Sequence, residues 1–222
     1  NLYMQKIIAF VRPFILEFMR IFWAIKEEFL NFREIRRFDI KPYQLLWVNP
    51  GSILMSKCKA NKDCIDSFQD KFIQGGEWDS ALVSPLDHNV VRASFKVSSN
   101  NKSWRVVGEY ERMDKLINTH GAFDNCRSQS DIKDRYGKLD KMISEIGSNK
   151  SIQSRKMLRK FNFRELGGIE VAISRNGQIV KIGDGQHRLG IALGLGIEII
   201  PVSVILVHSS YHKGQVKQCL KK

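Results

Sequence analysis

The sequence predicts an α/β fold, in which helices pack on a small mixed sheet, and residues 168–207 carry most of that prediction. Residues 169–173 and 179–182 alternate in the manner of strands, and the Asn176-Gly177 pair between them is typical of a tight hairpin turn. The apolar residues of 186–196 follow helical spacing, and residues 199–205 form an apolar run typical of a buried strand. The order of strand, hairpin, strand, helix and strand therefore indicates one α/β unit.

A glycine-containing corner precedes the predicted helix. Its residues are Gly183, Asp184, Gly185, Gln186, His187 and Arg188. The first N–H groups of a helix have no partner within the helix, and the helix dipole makes this end positive, so the corner is a candidate anion site. Arg188 offers a planar donor fork for phosphate oxygens, and His187 offers a titratable donor or base. Asp184 either caps the helix or holds a divalent metal beside a phosphate.

The corner, followed by an Ala-containing helix, a Leu-Gly pair and an Ile-Pro-Val strand, resembles the signature of the ParB/sulfiredoxin-like superfamily over roughly the last third of the chain. The resemblance implies a turn that grips nucleotide phosphates, as in CTP-binding partition proteins, ATP-dependent sulfiredoxins and ParB-fold free-serine kinases. Gln186 stands where sulfiredoxins carry the attacking Cys, so sulfiredoxin activity is not expected. Partition proteins usually carry Glu-Arg-Arg here, and the Asp-Gly-x-His-Arg form is more similar to the serine kinases.

Other segments resemble a group of uncharacterised ParB-like proteins, and this similarity spans most of the chain from Trp47 onward. They are Gly75 to Asp79, Trp104, Gly108 to Tyr110, and Arg135 to Asp140. This second resemblance implies no particular activity.

Phosphoryl transfer needs a phosphate cradle, a metal ligand and a base. The corner supplies the cradle, and Asp184 is the candidate ligand for Mg²⁺. The kinase resemblance implies a carboxylate just before the helix that precedes the hairpin, which matches Asp131 and Asp134. We therefore expect an ATP- or ADP-dependent kinase acting on a small-molecule or glycan-linked hydroxyl, with Asp184, His187, Asp131 and Asp134 as catalytic residues. Further candidate carboxylates are Glu77, Asp79, Glu109 and Glu111.

Composition leaves two other function classes open. The 222 residues carry a net charge of +13, which attracts polyanions such as nucleic acid, an anionic membrane surface or a phosphorylated ligand. A DNA-associated nucleotide-binding module is the weaker hypothesis, because only about a dozen residues follow the last strand and a helix-turn-helix needs more. A non-catalytic scaffold is the other alternative. The four cysteines lack CxxC spacing, which is typical of a reducing compartment, and His208 and His212 alone do not predict a zinc site.

Residues 4–40 form a predicted amphipathic helical arm ahead of the domain at 41–222. Charges interrupt its apolar residues, so it lacks the roughly 20 apolar residues of a membrane span. One hypothesis packs the arm on the domain or on a second copy in a homodimer. The other lays residues 4–38 on anionic lipid, with Phe22, Trp23 and Phe29 inserted and four arginines at the headgroups, namely Arg20, Arg33, Arg36 and Arg37. The expected location is cytoplasmic, with or without attachment to the inner face of the membrane.

An inserted α+β segment is predicted at about 55–135. We expect a first sheet strand at 43–48, a loop and short helix over 55–74, a strand at 90–97, and helices at 109–118 and 130–145.

Overall fold

The computed structural model describes residues 14–15, 18–19, 21–22, 25–26, 29, 38–56, 72–158, 162, 165, 167–214 and 216. The strands within this part of the chain are β1 (Leu45–Val48), β2 (Leu54–Ser56), β3 (Ile73–Gln74), β4 (Leu82–Val83), β5 (Ile169–Ile173), β6 (Ile179–Lys181) and β7 (Ile200–His208). The helices of the domain are α1 (Asn89–Asn100), α2 (Glu109–His120), α3 (Gln129–Asn149), α4 (Arg155–Leu158) and α5 (Gln186–Gly194).

The strands form one mixed sheet in the order β1-β7-β5-β6-β2-β4, and β3 pairs with the far end of β7. β7 is antiparallel to β1 and parallel to β5, while β5 and β6 form an antiparallel hairpin and β6 is parallel to β2. Eight of the nine residues of β7 are buried, which explains its continuous apolar sequence. The prediction of an α/β fold with a mixed sheet is confirmed, as are the hairpin, the helix after the corner and the last strand.

The two faces of the sheet have separate apolar cores. The larger core, under α1, α3 and α5, includes Ile169, Val171, Leu189, Ile191 and Val204. On the other face, Trp78 packs against Ala172, Val180, Ile182 and Leu206. Trp78 therefore closes the face of the sheet that the main helices leave open.

An ion pair beside Trp78 joins its loop to the β5–β6 hairpin. Arg175 donates to the buried Asp79 carboxylate from its backbone N (2.7 Å) and from Nε (2.9 Å), and to Gly76 O (2.9 Å). Glu77, which is largely exposed, also pairs with Arg175 at 3.1 Å. This clamp fixes the Gly75 to Asp79 segment on the sheet.

Helices α1 and α5 cross at two glycines of α5. A Cβ on Gly190 would meet Val91 O and lie 2.6 Å from Ser94 Cβ. A Cβ on Gly194 would meet Ser98 Oγ and lie 2.8 Å from Phe95 O. Only glycine lets the two backbones approach this closely.

The helices α1 to α3 carry a further apolar cluster. Its buried members include Val97, Trp104, Met113, Ile132 and Tyr136. The predicted strand at 90–97 is wrong, because those residues lie within α1. The predicted loop and helix at 55–74 fall mostly outside the described residues. The described residues on either side of this gap form β2 and β3.

The described residues of the arm between positions 14 and 29 are helical and their large apolar side chains are exposed. They include Phe14, Ile15, Phe18, Met19, Ile21, Phe22, Ile25 and Phe29. Phe38 and Ile40, in contrast, are not helical and are buried in the larger core. Trp23 and Arg20, Arg33, Arg36 and Arg37 lie outside the described residues. Among the helices that the structure describes, none has the length and apolarity to cross a membrane.

Candidate phosphate-binding site

The corner between β6 and α5 turns on two glycines with left-handed backbone angles. Gly183 has φ 53° and Gly185 has φ 96°. A Cβ on Gly185 would lie 2.6 Å from Ile169 Cα, and one on Gly183 would collide with the Glu170 carboxylate. The tight corner predicted from the sequence is therefore present, and both glycines are required by backbone angle and by space.

Glu170 and Lys181, which lie outside the predicted site, hold this corner in place. Glu170 Oε2 accepts the backbone N–H of Asp184 at 2.8 Å. The buried Lys181 donates from Nζ to Ile182 O and to Gly183 O, the latter at 2.9 Å. The Asp184 N–H is thus engaged by the protein itself, and the carboxylate of Asp184 is exposed to solvent.

Burial lowers the pKa of Lys181 to about 7, and the nearby carboxylates of Glu170 and Asp184 oppose that shift. A sequence signal for Lys181 existed. Its sequence neighbours Val180 and Ile182 are buried on one face of the sheet, so Lys181 points to the other face, where it is also buried. A buried lysine is rare unless its charge is paired or hydrogen-bonded.

The N-terminus of α5 offers unused hydrogen-bond donors. Gly185 caps the helix without a side chain, and the first bond to the cap is made by Leu189 N. Within the described part of the chain, the backbone N–H groups of Gln186, His187 and Arg188 find no acceptor. These donors and the helix dipole together favour an anion at this end of α5.

Arg188 is buried, with 7% of its surface exposed, and its guanidinium is only partly bonded. One terminal nitrogen donates to Gln153 O at 2.6 Å, while Nε has no hydrogen-bond partner. Burial lowers the pKa of Arg188 to about 10; the positive charge of Arg155 adds to that shift and Glu165 opposes it. The side chain remains charged at neutral pH and has a donor to spare.

Arg188 lines a cavity of about 300 Å³ between α3 and the segment that contains α4. Three other basic side chains line the same cavity, namely Lys138, Lys141 and Arg155, and Glu145 is the acidic one. The remaining lining is polar or apolar: Met142, Ile146, Asn149, Ser151, Ile152, Gln153 and Leu158. The cavity therefore combines an excess of positive charge with an apolar wall.

His187 lies on a different side of α5 and does not line this cavity. Its Nδ1 is 2.9 Å from Ser94 Oγ, and its ring makes an edge contact with Trp104 at 5.7 Å between centroids. Because the Ser94 hydroxyl already donates to Val90 O, Nδ1–H of His187 is the donor in this pair. Burial lowers the pKa of His187 to about 4, so the ring is neutral at pH 7.

The segments around Trp104, Glu109 and Tyr136 meet beside His187. Trp104 Nε1 donates to Asp140 at 2.7 Å, and the Tyr136 hydroxyl donates to Glu109 at 2.9 Å. Trp104 and Tyr136 stack at 4.8 Å. Three of the segments singled out in the sequence are thus neighbours in the fold, while Gly75 to Asp79 lies with Arg175.

The two predicted bases on α3 lie away from the corner. Asp131 accepts from Arg127 N (2.9 Å) and Ser128 Oγ (2.8 Å), and these bonds lower its pKa, which is the pattern of a helix cap. Asp131 and Asp134 line a separate cavity of about 380 Å³, which no residue of the corner lines. Lys138 borders both cavities.

The further carboxylate candidates are engaged elsewhere or exposed. Burial alone would raise the pKa of Asp79, but the hydrogen bonds from Arg175 lower it overall. Glu109 is buried and bound by Arg112 at 2.8 Å, and Glu111 is exposed. His208 uses both ring nitrogens in bonds with Gly76 O and Ser210 N. In the residues described, no group of three or more His, Cys, Asp or Glu side chains could hold a metal.

Comparison with known proteins gives no relative to set beside this geometry. The chain matches no protein-family model, no curated protein and no solved structure. A function for this chain therefore has to be argued from its own residues.

Proposed function

We propose that this protein is a nucleotide-dependent phosphotransferase of ParB/sulfiredoxin-like type, in which Arg188 and the N-terminus of α5 bind phosphate. The proposed acceptor is a small-molecule or glycan-linked hydroxyl. One observation carries the proposal: a buried arginine with an unbonded Nε lines a cavity rich in lysine and arginine.

A buried cation with an unsatisfied donor costs free energy, and a bound anion offsets that cost. The four basic residues of the cavity repel one another when no anion is present. Phosphate oxygens accept hydrogen bonds from guanidinium groups in a bidentate manner, which suits the fork of Arg188. A nucleotide fits this cavity better than inorganic phosphate, because Ile146, Ile152 and Leu158 offer an apolar wall for a base or sugar.

The order of elements supports the proposed fold type. The β5–β6 hairpin, the glycine corner, α5 and a β7 strand parallel to β5 follow one another as the ParB/sulfiredoxin-like resemblance implies. Of the corner residues 183–188, Arg188 is the one that lines the cavity, and Gln186 stands at the position of the sulfiredoxin Cys.

Asp184 is the proposed Mg²⁺ ligand. Its carboxylate is exposed at the corner, and Glu170 lies against its backbone N–H. Mg²⁺ commonly takes one or two protein carboxylates and completes its shell with water and phosphate oxygens, so a single aspartate fits. Bound there, the metal would supply positive charge to the phosphate oxygens.

Transfer from a nucleoside triphosphate would break the bond between the β–γ bridging oxygen and the γ-phosphorus, and would join that phosphorus to the acceptor oxygen. The acceptor hydroxyl would lose its proton to a base. Asp131 and Asp134 are kept as the proposed bases from the kinase resemblance; they line a separate cavity, which shares Lys138 with the cavity of Arg188.

Calorimetric titration with ATP, ADP, CTP and GTP, each with and without Mg²⁺, tests the binding step. We expect one nucleotide to bind, and Lys141→Ala to weaken it roughly tenfold or more, since a charge-assisted hydrogen bond contributes about 1.5–3 kcal/mol. Lys133→Ala is the matched control, because it removes an exposed lysine of the same helix that does not line the cavity. Failure of the wild type to bind any nucleotide, or equal affinities for the two lysine variants, would refute phosphate binding at this cavity.

Catalysis is tested separately from binding. We expect the wild type to release nucleoside diphosphate or monophosphate slowly in the presence of Mg²⁺, and Asp184→Asn to lose that turnover while keeping most of its nucleotide affinity. Unchanged turnover in Asp184→Asn would remove this residue from the proposed reaction.

A further inference from the structure

The helical residues of the arm present a broad apolar face to solvent. Phe29 is 82% exposed, Phe18 71% and Phe22 60%, and none belongs to an apolar core. Large contiguous apolar patches on a protein surface mark sites that another molecule covers. The arm therefore needs an occupant.

Helical geometry places these side chains together. With about 100° between successive residues, the exposed apolar positions fall within an arc of about 160°. Among the described residues of the arm they are Phe14, Ile15, Phe18, Met19, Ile21, Phe22, Ile25 and Phe29. A coiled-coil seam uses two positions in seven and is much narrower, so this face is wider than a helix pair needs.

Charge favours lipid over a second copy of the chain. Residues 4–38 contain seven basic and four acidic side chains, a net of +3, within a chain of net charge +13. Two such chains repel each other, whereas an anionic bilayer attracts both the arm and the domain. Arg33, Arg36 and Arg37 follow the apolar positions in the sequence and contribute to this positive charge.

We propose that the arm lies in the surface of an anionic bilayer, with the Phe18, Phe22 and Phe29 face buried among the acyl chains. No helix of the described residues could span a bilayer, and a helix with a wide apolar face and a charged opposite face lies parallel to the membrane plane. This inference does not depend on the proposed phosphotransferase activity.

Vesicle co-sedimentation of the full chain tests the proposal. One set of vesicles contains phosphatidylcholine alone, and the other contains about one third phosphatidylserine. We expect binding to the anionic set only, weakened by salt because screening reduces charge attraction. Phe22→Glu should lower the bound fraction roughly tenfold or more, since it removes a buried ring and adds a negative charge.

Val106→Glu is the matched control. Val106 is 72% exposed and lies outside the arm, so this variant adds the same charge without touching the apolar face. We expect its binding to stay within about twofold of the wild type. Light scattering without vesicles measures whether the chain is monomeric.

Three results would overturn the proposal. They are failure of the wild type to bind anionic vesicles, equal binding by Phe22→Glu and the wild type, and a wild-type dimer that Phe22→Glu dissociates without any vesicle binding. The last result would assign the face to a second copy of the chain.

Discussion

Substitution of Gly190 by alanine tests the helix crossing that positions the candidate site. The added Cβ would meet the carbonyl oxygen of Val91 and lie 2.6 Å from Ser94 Cβ, and both belong to α1. The carbonyl is backbone, so it cannot rotate out of the way, and α1 and α5 must move apart. Overpacking of this kind costs about 1–3 kcal/mol.

Two contacts below 3 Å place this cost in the upper part of that range, at about 2–3 kcal/mol, and alanine regains about 0.5–1 kcal/mol through its higher helix propensity. The net loss for Gly190→Ala is therefore about 1–2.5 kcal/mol. Gly137 provides the control, because it lies within α3 and a Cβ there would find no atom within 4 Å. Gly137→Ala should therefore keep the propensity gain and become more stable. Opposite signs for the same chemical change separate packing from propensity.

Thermal unfolding followed by circular dichroism measures both effects. At about 2–4 °C per kcal/mol for a chain of this size, we expect the Tm of Gly190→Ala to fall by about 2–10 °C and that of Gly137→Ala to rise by about 1–4 °C. A Gly190→Ala protein as stable as the wild type would show that the two backbones are not in close contact. Chemical unfolding in urea checks that the transition stays cooperative.

The remaining predictions concern His187 and the Asp79 clamp. Because the pKa of His187 falls from its usual 6.5 to about 4, the unfolded chain binds more protons between these values, and the free energy of unfolding should fall as the pH drops from 6.5 to 4. Urea unfolding at pH 7 and pH 4.5 measures this decrease in the free energy of unfolding, and we expect it to be smaller in His187→Gln by roughly 1–2 kcal/mol. The same decrease in the variant and the wild type would contradict a His187 ring that is neutral in the folded protein. Asp79→Asn should destabilise the protein by about 1–3 kcal/mol, because it removes the charge of a buried carboxylate that accepts hydrogen bonds from the partly exposed Arg175, whereas Glu77→Gln should cost under about 1 kcal/mol at a largely exposed position. Equal decreases in the free energy of unfolding for Asp79→Asn and Glu77→Gln would contradict the greater burial of Asp79.

The parts of the fold that were predicted correctly depend on residues close together in the sequence. The Asn176-Gly177 turn and the positive φ of Gly177, Gly183 and Gly185 are short-range requirements, and the sequence states them directly. β7 was predictable because a strand buried on both faces has a continuous apolar sequence.

Tertiary packing decided the element that the sequence missed. Residues 90–97 are rich in valine and alternate well enough to resemble a strand, yet they form α1. The buried positions Val91, Ser94 and Val97 recur at helical spacing, and the contact with Gly190 and Gly194 selects the helix. Neither glycine is near α1 in the sequence, so only the folded chain shows this partner.

Of the residues predicted for the site, Arg188 is the one that lines the cavity, because the direction of a side chain cannot be read from local sequence. Successive residues on a helix point about 100° apart, and here His187 contacts Ser94 while Arg188 lines the cavity. The basic residues Lys138, Lys141 and Arg155 reach the cavity from distant segments, which no local pattern indicates. Lys181 and Glu170 had a signal, since each is a charged residue inside a strand with apolar neighbours.

His187 and Arg188 point in different directions, so the first turn of α5 is held from two sides. His187 fastens that turn to Ser94 and Trp104 on one flank, while Arg188 is tied to the Gln153 carbonyl on the other. The proposed anion would need Arg188 held in place, and the contacts of α1 with the same turn supply that order, so ordering of the helical segment and occupancy of the cavity would share one equilibrium. Loss of the hydrogen bond between Ser94 and His187 would then weaken the affinity for a ligand that Ser94 does not contact.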